Sequence, residues 1–116
     1  RTTGALGSLI LKKPSRLSYD CLTDCEVYAI NFNDFKKLAT ADKGVSILYA
    51  SILEIIFLTL ETKVYDLSVL NATQRYLKLK KQIPEIENLV PQYHIASFLN
   101  ITPVQLSRIR KEIYSK

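Results

Sequence analysis

The stretch Gln92-Tyr-His-Ile-Ala-Ser-Phe-Leu-Asn-Ile-Thr-Pro-Val-Gln-Leu-Ser-Arg-Ile-Arg-Lys111 decides how this chain reads. Two short helices that cross at a wide angle, joined by a tight turn, place strict demands on residue size. A small side chain is needed where the helices touch, and Ala96 supplies it. Four residues on, the chain must bend sharply, and Asn100 tolerates a left-handed conformation better than other side chains. Thr102 followed by Pro103 predicts a helix start, with a hydroxyl cap and then proline at the first helical position. Ile95, Leu99, Ile101, Leu106 and Ile109 fall where side chains bury between the two helices. The pattern predicts helices over about 92–99 and 103–114, arranged as a helix-turn-helix.

In such a motif the second helix enters the major groove of a duplex with its N-terminal half facing base edges. The outward residues here are Val104, Gln105, Arg108 and Lys111, with Ser107 beside them and Thr102 and Pro103 at the start. Base geometry favours Arg108 taking guanine and Gln105 taking adenine, whereas Val104 offers apolar contact to a thymine methyl. Thr102, Arg110, Lys111 and the run Lys78, Lys80, Lys81 suit phosphates, which position a protein without reading sequence. His94 reads as a phosphate or packing neighbour.

Charge distribution agrees with that assignment. Residues 72–116 carry eight Lys or Arg against three Asp or Glu, whereas residues 46–71 carry one against three. A basic end behind an acidic middle suits a polyanion, although a merely solvated basic face gives the same count. The apolar fraction of 47% and charged fraction of 23% are those of a globular protein. No serine–histidine–aspartate set, carboxylate pair in a plausible pocket or phosphate-cradling loop is present, so the expectation is a protein without enzymatic chemistry. Cys21, Cys25 and His94 cannot assemble a four-ligand zinc site, so no metal is expected. The Cys-x3-Cys spacing predicts two reduced thiols, in keeping with the cytoplasm.

Upstream, Lys43 to Leu70 predicts one long helix. Tyr49, Leu53, Ile56, Leu60, Val64 and Leu67 form an apolar stripe, with Leu48, Ile52 and Ile55 beside it. A helix apolar on two faces must be covered twice. Tyr49, Ile52, Leu53, Ile56 and Leu60 are therefore assigned to a homodimer interface, the alternative being a buried core helix in a larger monomer. Its most apolar run, Val45 to Leu60, is interrupted by Ser46, Ser51, Glu54 and Thr59 and falls short of the roughly 20 residues of a membrane span, so no membrane is expected. Asn71 caps a further helix to about Lys81, and Glu85 to Leu89 predicts one turn between Pro84 and Pro91. Toward the N-terminus the texture is strand-like, with short apolar runs at Leu9–Leu11, Arg16–Leu22 and Glu26–Ile30. Asn33 predicts the cap of a short helix through Phe35 and Leu38.

The strings Lys13-Pro-Ser-Arg16, Thr23-Asp-Cys-Glu-Val27 and Ile101-Thr-Pro-Val-Gln-Leu-Ser-Arg-Ile-Arg110 resemble the Crp/Fnr family of bacterial transcription regulators, in the branch common in Bacteroidetes, over essentially the whole chain. The resemblance implies an α+β fold. Residues 1–42 would be the C-terminal part of a cyclic-nucleotide-binding-like β-roll (a double-stranded β-helix of jelly-roll type), residues 43–70 a dimerisation helix, and residues 71–116 an all-α helix-turn-helix domain with its wing short or absent. The opening Arg1 in place of Met suggests that the earlier part of the roll lies outside the chain. The partners implied are double-stranded DNA, a second copy and RNA polymerase, with a small-molecule effector left open. The family's ribose-binding loop aligns with Gly4-Ala5-Leu6-Gly7 and its phosphate-binding pair with Ser15-Arg16. Ala5 replaces the ribose acid, Ser15 replaces the phosphate arginine, and strand alternation would turn Arg16 away. The pocket therefore reads as degenerate, and binding of cyclic AMP or another cyclic nucleotide as a cofactor is not expected. Of the family's Arg, Glu and Arg at the positions of Pro103, Val104 and Arg108, only Arg108 remains, so a different operator is implied. The alternative function is a sensory or protein-interaction module of cyclic-nucleotide-binding type that does not bind DNA.

Overall fold

The computed structural model describes residues 3–116. Among them the chain forms seven helices and no strand: α1 (Leu6–Leu11), α2 (Phe32–Ala41), α3 (Lys43–Val69), α4 (Ala72–Gln82), α5 (Ile86–Leu89), α6 (Gln92–Phe98) and α7 (Pro103–Tyr114). The expected α+β fold with a partial β-roll is thereby corrected. Leu9, Ile10 and Leu11 close a short helix that ends at Lys12 in the left-handed region, at φ 54°. The runs at Arg16–Leu22 and Glu26–Ile30 carry no ladder and stand in solvent, with Tyr28 94% exposed. A strand needs neighbours for its backbone groups and a face to bury, and two or three short runs supply neither. An apolar run of three residues does not distinguish helix from strand by periodicity.

The chain divides into two compact units, one ending at Leu60 and the other spanning Glu61–Lys116. In the first, Asn31 caps α2 by accepting the amide of Asp34, so the cap lies two residues before the expected Asn33. Asp42 then accepts the amide of Val45 at 2.9 Å and starts α3. Tyr49 packs edge-on against Phe32 and Phe35, with ring centroids 6.3 and 5.6 Å apart. Nothing in this unit is fully buried among the described residues.

The second unit holds the core: Tyr76, Leu79, Ile95, Ala96, Leu99, Leu106 and Ile109, with Ala72, Ile86, Val90, Ile101 and Ile113 packed against it. Reciprocal capping boxes start two of its helices, Asn71 with Gln74 on α4 and Thr102 with Gln105 on α7. Each satisfies two amides that a helix start otherwise leaves unpaired. The last turns of α3 belong to this unit, so the division falls inside the long helix rather than at its end.

None of the residues of α3 is fully buried. An 18-residue window of it has a mean hydropathy of 1.7, and among the described residues it is the one helix long and apolar enough to cross a membrane. The sequence reading, which ended the apolar run at Leu60, did not anticipate that. The same length and composition also suit a helix covered by protein on more than one face.

Candidate nucleic-acid interface

The bend between α6 and α7 is built from backbone accounting. Asn100 sits at φ 58°. Its amide donates to Ser97 at 3.1 Å and the Ile101 amide donates to Ala96 at 3.0 Å. This pair of reversed bonds is the Schellman arrangement, which ends a helix through one left-handed residue. The chain leaves α6 at once for the Thr102 cap. Ala96 is fully buried where the helices meet, and Leu106 and Ile109 of α7 bury on the same core. The residues expected to bury at this crossing do so, with Ile101 partly covered.

On the other side of α7, Val104, Ser107, Arg108 and Lys111 follow the spacing that lines one helix face, and all are exposed. Val104 is 61% exposed. No hydrogen bond or ion pair from the rest of the described chain engages the Arg108 guanidinium. The helix therefore presents Arg108 with its donor fork unengaged, the form that pairs bidentately with guanine. Thr102 accepts the Gln105 amide through its hydroxyl at 3.1 Å. That hydroxyl retains its own proton to donate, for example to a phosphate.

Gln105 is different. Its side-chain oxygen accepts the Thr102 amide at 2.8 Å, so it closes the start of α7. Bidentate pairing with adenine needs that oxygen too, and the capping box already occupies one of its two lone pairs. The sequence showed the residue but not its engagement.

The basic residues assigned to phosphates separate into two groups. Lys111 and Lys81 are exposed. Lys78 lies 2.7 Å from Asp66, Lys80 lies 3.3 Å from Glu87, and Arg110 lies 2.9 Å from Glu87. Those three cations brace the unit from within. Glu87 also accepts the phenol proton of Tyr76, and the Tyr114 hydroxyl donates to it at 3.3 Å. Burial pushes the Glu87 carboxyl up, but hydrogen bonds from Tyr76 and Lys80 and the charge of Arg110 outweigh it and hold the carboxyl below its ordinary value. Burial, then the bond to Glu87, pushes the Tyr76 phenol up, so it stays protonated and donates. Nothing local in the sequence marked Glu87, because its partners come from two other helices, α4 and α7.

Two further cations missed by sequence reasoning act at the bend. The Lys63 ammonium donates to the Phe98 carbonyl at 2.5 Å and lies 4.2 Å from the Phe98 ring centre. Arg75 donates through Nε to the Leu99 carbonyl at 3.2 Å and through Nη1 to the Leu70 carbonyl at 2.6 Å. Burial, and then the neighbouring Arg75 charge, lowers the Lys63 pKa. His94 is half-buried and its ring lies 4.3 Å from that of Tyr93.

The residues expected to form an effector pocket are not assembled into one. Ala5 precedes α1 and Leu6 opens it. Ser15 bonds to the backbone of Leu17, and Gly4 and Arg16 are exposed. The strand that would have turned Arg16 aside is absent. Both cysteines are free and exposed. The Cys25 thiol donates to the Thr23 carbonyl, and hydrogen bonding of the Cys21 thiol to Cys25, then the Cys25 charge, raises the Cys21 pKa. No group of three or more histidine, cysteine, aspartate or glutamate side chains fit to hold a metal occurs among the described residues. Of the assigned dimer residues, Tyr49 is engaged by Phe32 and Phe35, and Tyr49, Ile52, Leu53 and Ile56 are half-buried. Leu60 is 60% exposed, as are its neighbours Phe57 at 62% and Leu58 at 58%. Compared with known protein families, curated proteins and solved structures, the chain matches none.

Proposed function

We propose that this chain is a sequence-specific, double-stranded-DNA-binding transcription regulator that acts as a dimer in the cytoplasm and performs no enzymatic chemistry. The observation that carries the reading is the left-handed bend at Asn100, which joins α6, buried at Ile95 and Ala96, to an α7 whose Val104–Ser107–Arg108–Lys111 face stands open. A helix held from behind and bare in front suits the major groove. The basic charge of residues 72–116 supports a polyanion partner. The likeness to Crp/Fnr regulators is carried into this proposal by residues 43–116 alone. Exposed apolar side chains at Phe57, Leu58 and Leu60 support a second copy along α3.

The test is selection of duplexes from a random library by the intact protein, followed by titration of the chosen duplex. The expected complex holds two chains on half-sites about 34 Å apart. Arg108→Ala should lower the preference for the chosen duplex by about 1–3 kcal/mol while changing binding to scrambled duplex little. A wild-type protein that selects no sequence refutes the proposal. Exposed Tyr93, Phe98 and Val104 favour one second reading, a protein-binding surface on this same unit. Binding to a protein partner without salt dependence, and no DNA binding, would establish that reading instead.

A further inference from the structure

The end of α6 poses an accounting question. A helix leaves its last four carbonyls without partners of its own. For α6 the final carbonyls belong to Ala96, Ser97, Phe98 and Leu99. The Schellman bonds take the first two, through the amides of Ile101 and Asn100. The left-handed turn at Asn100 then carries the backbone away, and among the described residues no backbone amide returns to Phe98 or Leu99. Those two carbonyls are taken by Lys63, on the last turns of α3, and by Arg75, on the first turn of α4.

We propose that Lys63 and Arg75 are positioning residues for α7: together they clamp the Phe98 and Leu99 carbonyls and fix the angle at which the reading helix leaves the bend. The inference rests on the proposed DNA reading for its purpose, but the clamp itself is a property of the fold. Three features of the contacts carry it. The bonds fall on consecutive carbonyls directly before the left-handed residue, where a small rotation of the backbone swings the whole of α7. Both donors are charged, and charge-assisted bonds are about twice as strong as neutral ones. Each cation also has a second hold. Lys63 lies over the Phe98 ring, and Arg75 bridges to Leu70 at the end of α3, so neither is a loose surface side chain. The clamp thus ties the bend to the final turns of the long helix, and a displacement of those turns is passed to α7 through two hydrogen bonds.

The experiment compares the intact wild-type chain with Lys63→Met, Arg75→Met and Lys63→Arg. Three readouts are taken: the ratio of affinities for the selected and a scrambled duplex, the slope of log Kd against log salt, and amide exchange at Asn100 and Ile101. Removing one charge-assisted bond should lower the specificity ratio about tenfold. The salt slope should stay unchanged, exchange at the bend should quicken, and Lys63→Arg should restore all of it. A phosphate-contacting residue behaves otherwise: the slope falls by about one per cation and the specificity ratio is kept. That outcome overturns the proposal, as does a ratio and exchange rate unmoved by either methionine variant. Should Arg75→Met fail to fold, Lys63→Met against Lys63→Arg decides alone. Should wild type select no duplex, the proposed function fails while exchange at Asn100 still tests the clamp: acceleration in Lys63→Met sustains it, and an unchanged rate overturns it.

Discussion

The two units of this protein spend similar side chains in opposite ways. In the second, apolar residues at Tyr76, Ile95, Ala96, Leu99 and Leu106 are 2% exposed or less. In the first, Ile47, Leu48, Ile55, Phe57 and Leu58 are each more than half exposed, on a helix with no fully buried residue. Apolar area removed from water is what stabilises a fold, at roughly 25 cal/mol per Å². The second unit therefore carries its own stability. The first leaves a surface whose burial falls to something else, which is the physical support for a second copy along α3. The contrast also separates two kinds of residue in one chain: those held in place by the fold, and those left available to bind.

The sharpest way to break the contrast is at the core. Leu106 is fully buried, and Leu106→Ala should cost about 2–5 kcal/mol in denaturant unfolding through lost burial and the cavity left behind. Leu48→Ala, at a position 53% exposed, should stay within about 0.5 kcal/mol in dilute protein. Equal losses at the two sites would erase the distinction between the units. Smaller, and confined to the bend, is Asn100→Ala. Placing alanine at φ 58° should cost about 1 kcal/mol by thermal unfolding, and Asn100→Gly should cost little or nothing. Smallest is an effect of acid. The Glu87 carboxyl is held below its ordinary value in the folded chain, so its contribution is fully present above the unfolded value of 4.5 and is lost as pH falls through the lower, folded value. Unfolding followed by circular dichroism from pH 6 to pH 3 should show that loss in wild type and a flatter profile in Glu87→Gln.

The second unit was legible in the sequence because its demands are local. Ala96 at the crossing, Asn100 at the bend and Thr102-Pro103 at the helix start each answer to neighbours within a few residues, and α7 begins at Pro103 as expected. In the first unit α2 and α3 form where helices were expected, but the stretch before them holds no strands, because strands answer to distant partners. Leu9–Leu11 became part of a helix, and the runs beyond it found no sheet. The same distance rule explains the site. Lys78, Lys80 and Arg110 looked like free cations because the acids that hold them, Asp66 and Glu87, lie 12, 7 and 23 residues away. The exposed face of α7 followed from helical spacing alone. The capping role of Gln105, the Glu87 hub and the clamp by Lys63 and Arg75 followed from packing that no local pattern records.

Gln105 carries a consequence for how faithfully any operator is copied at one step. To grip adenine with both ends of its amide, it must share the oxygen that now accepts the Thr102 backbone proton or turn away from that proton. Turning away sets about 1 kcal/mol of helix capping against the gain of about 1–3 kcal/mol from a bidentate base pairing. In the proposed DNA reading, the base pair facing Gln105 should tolerate substitution among binding sites, while the pair facing Arg108, whose guanidinium gives up no partner, should vary least.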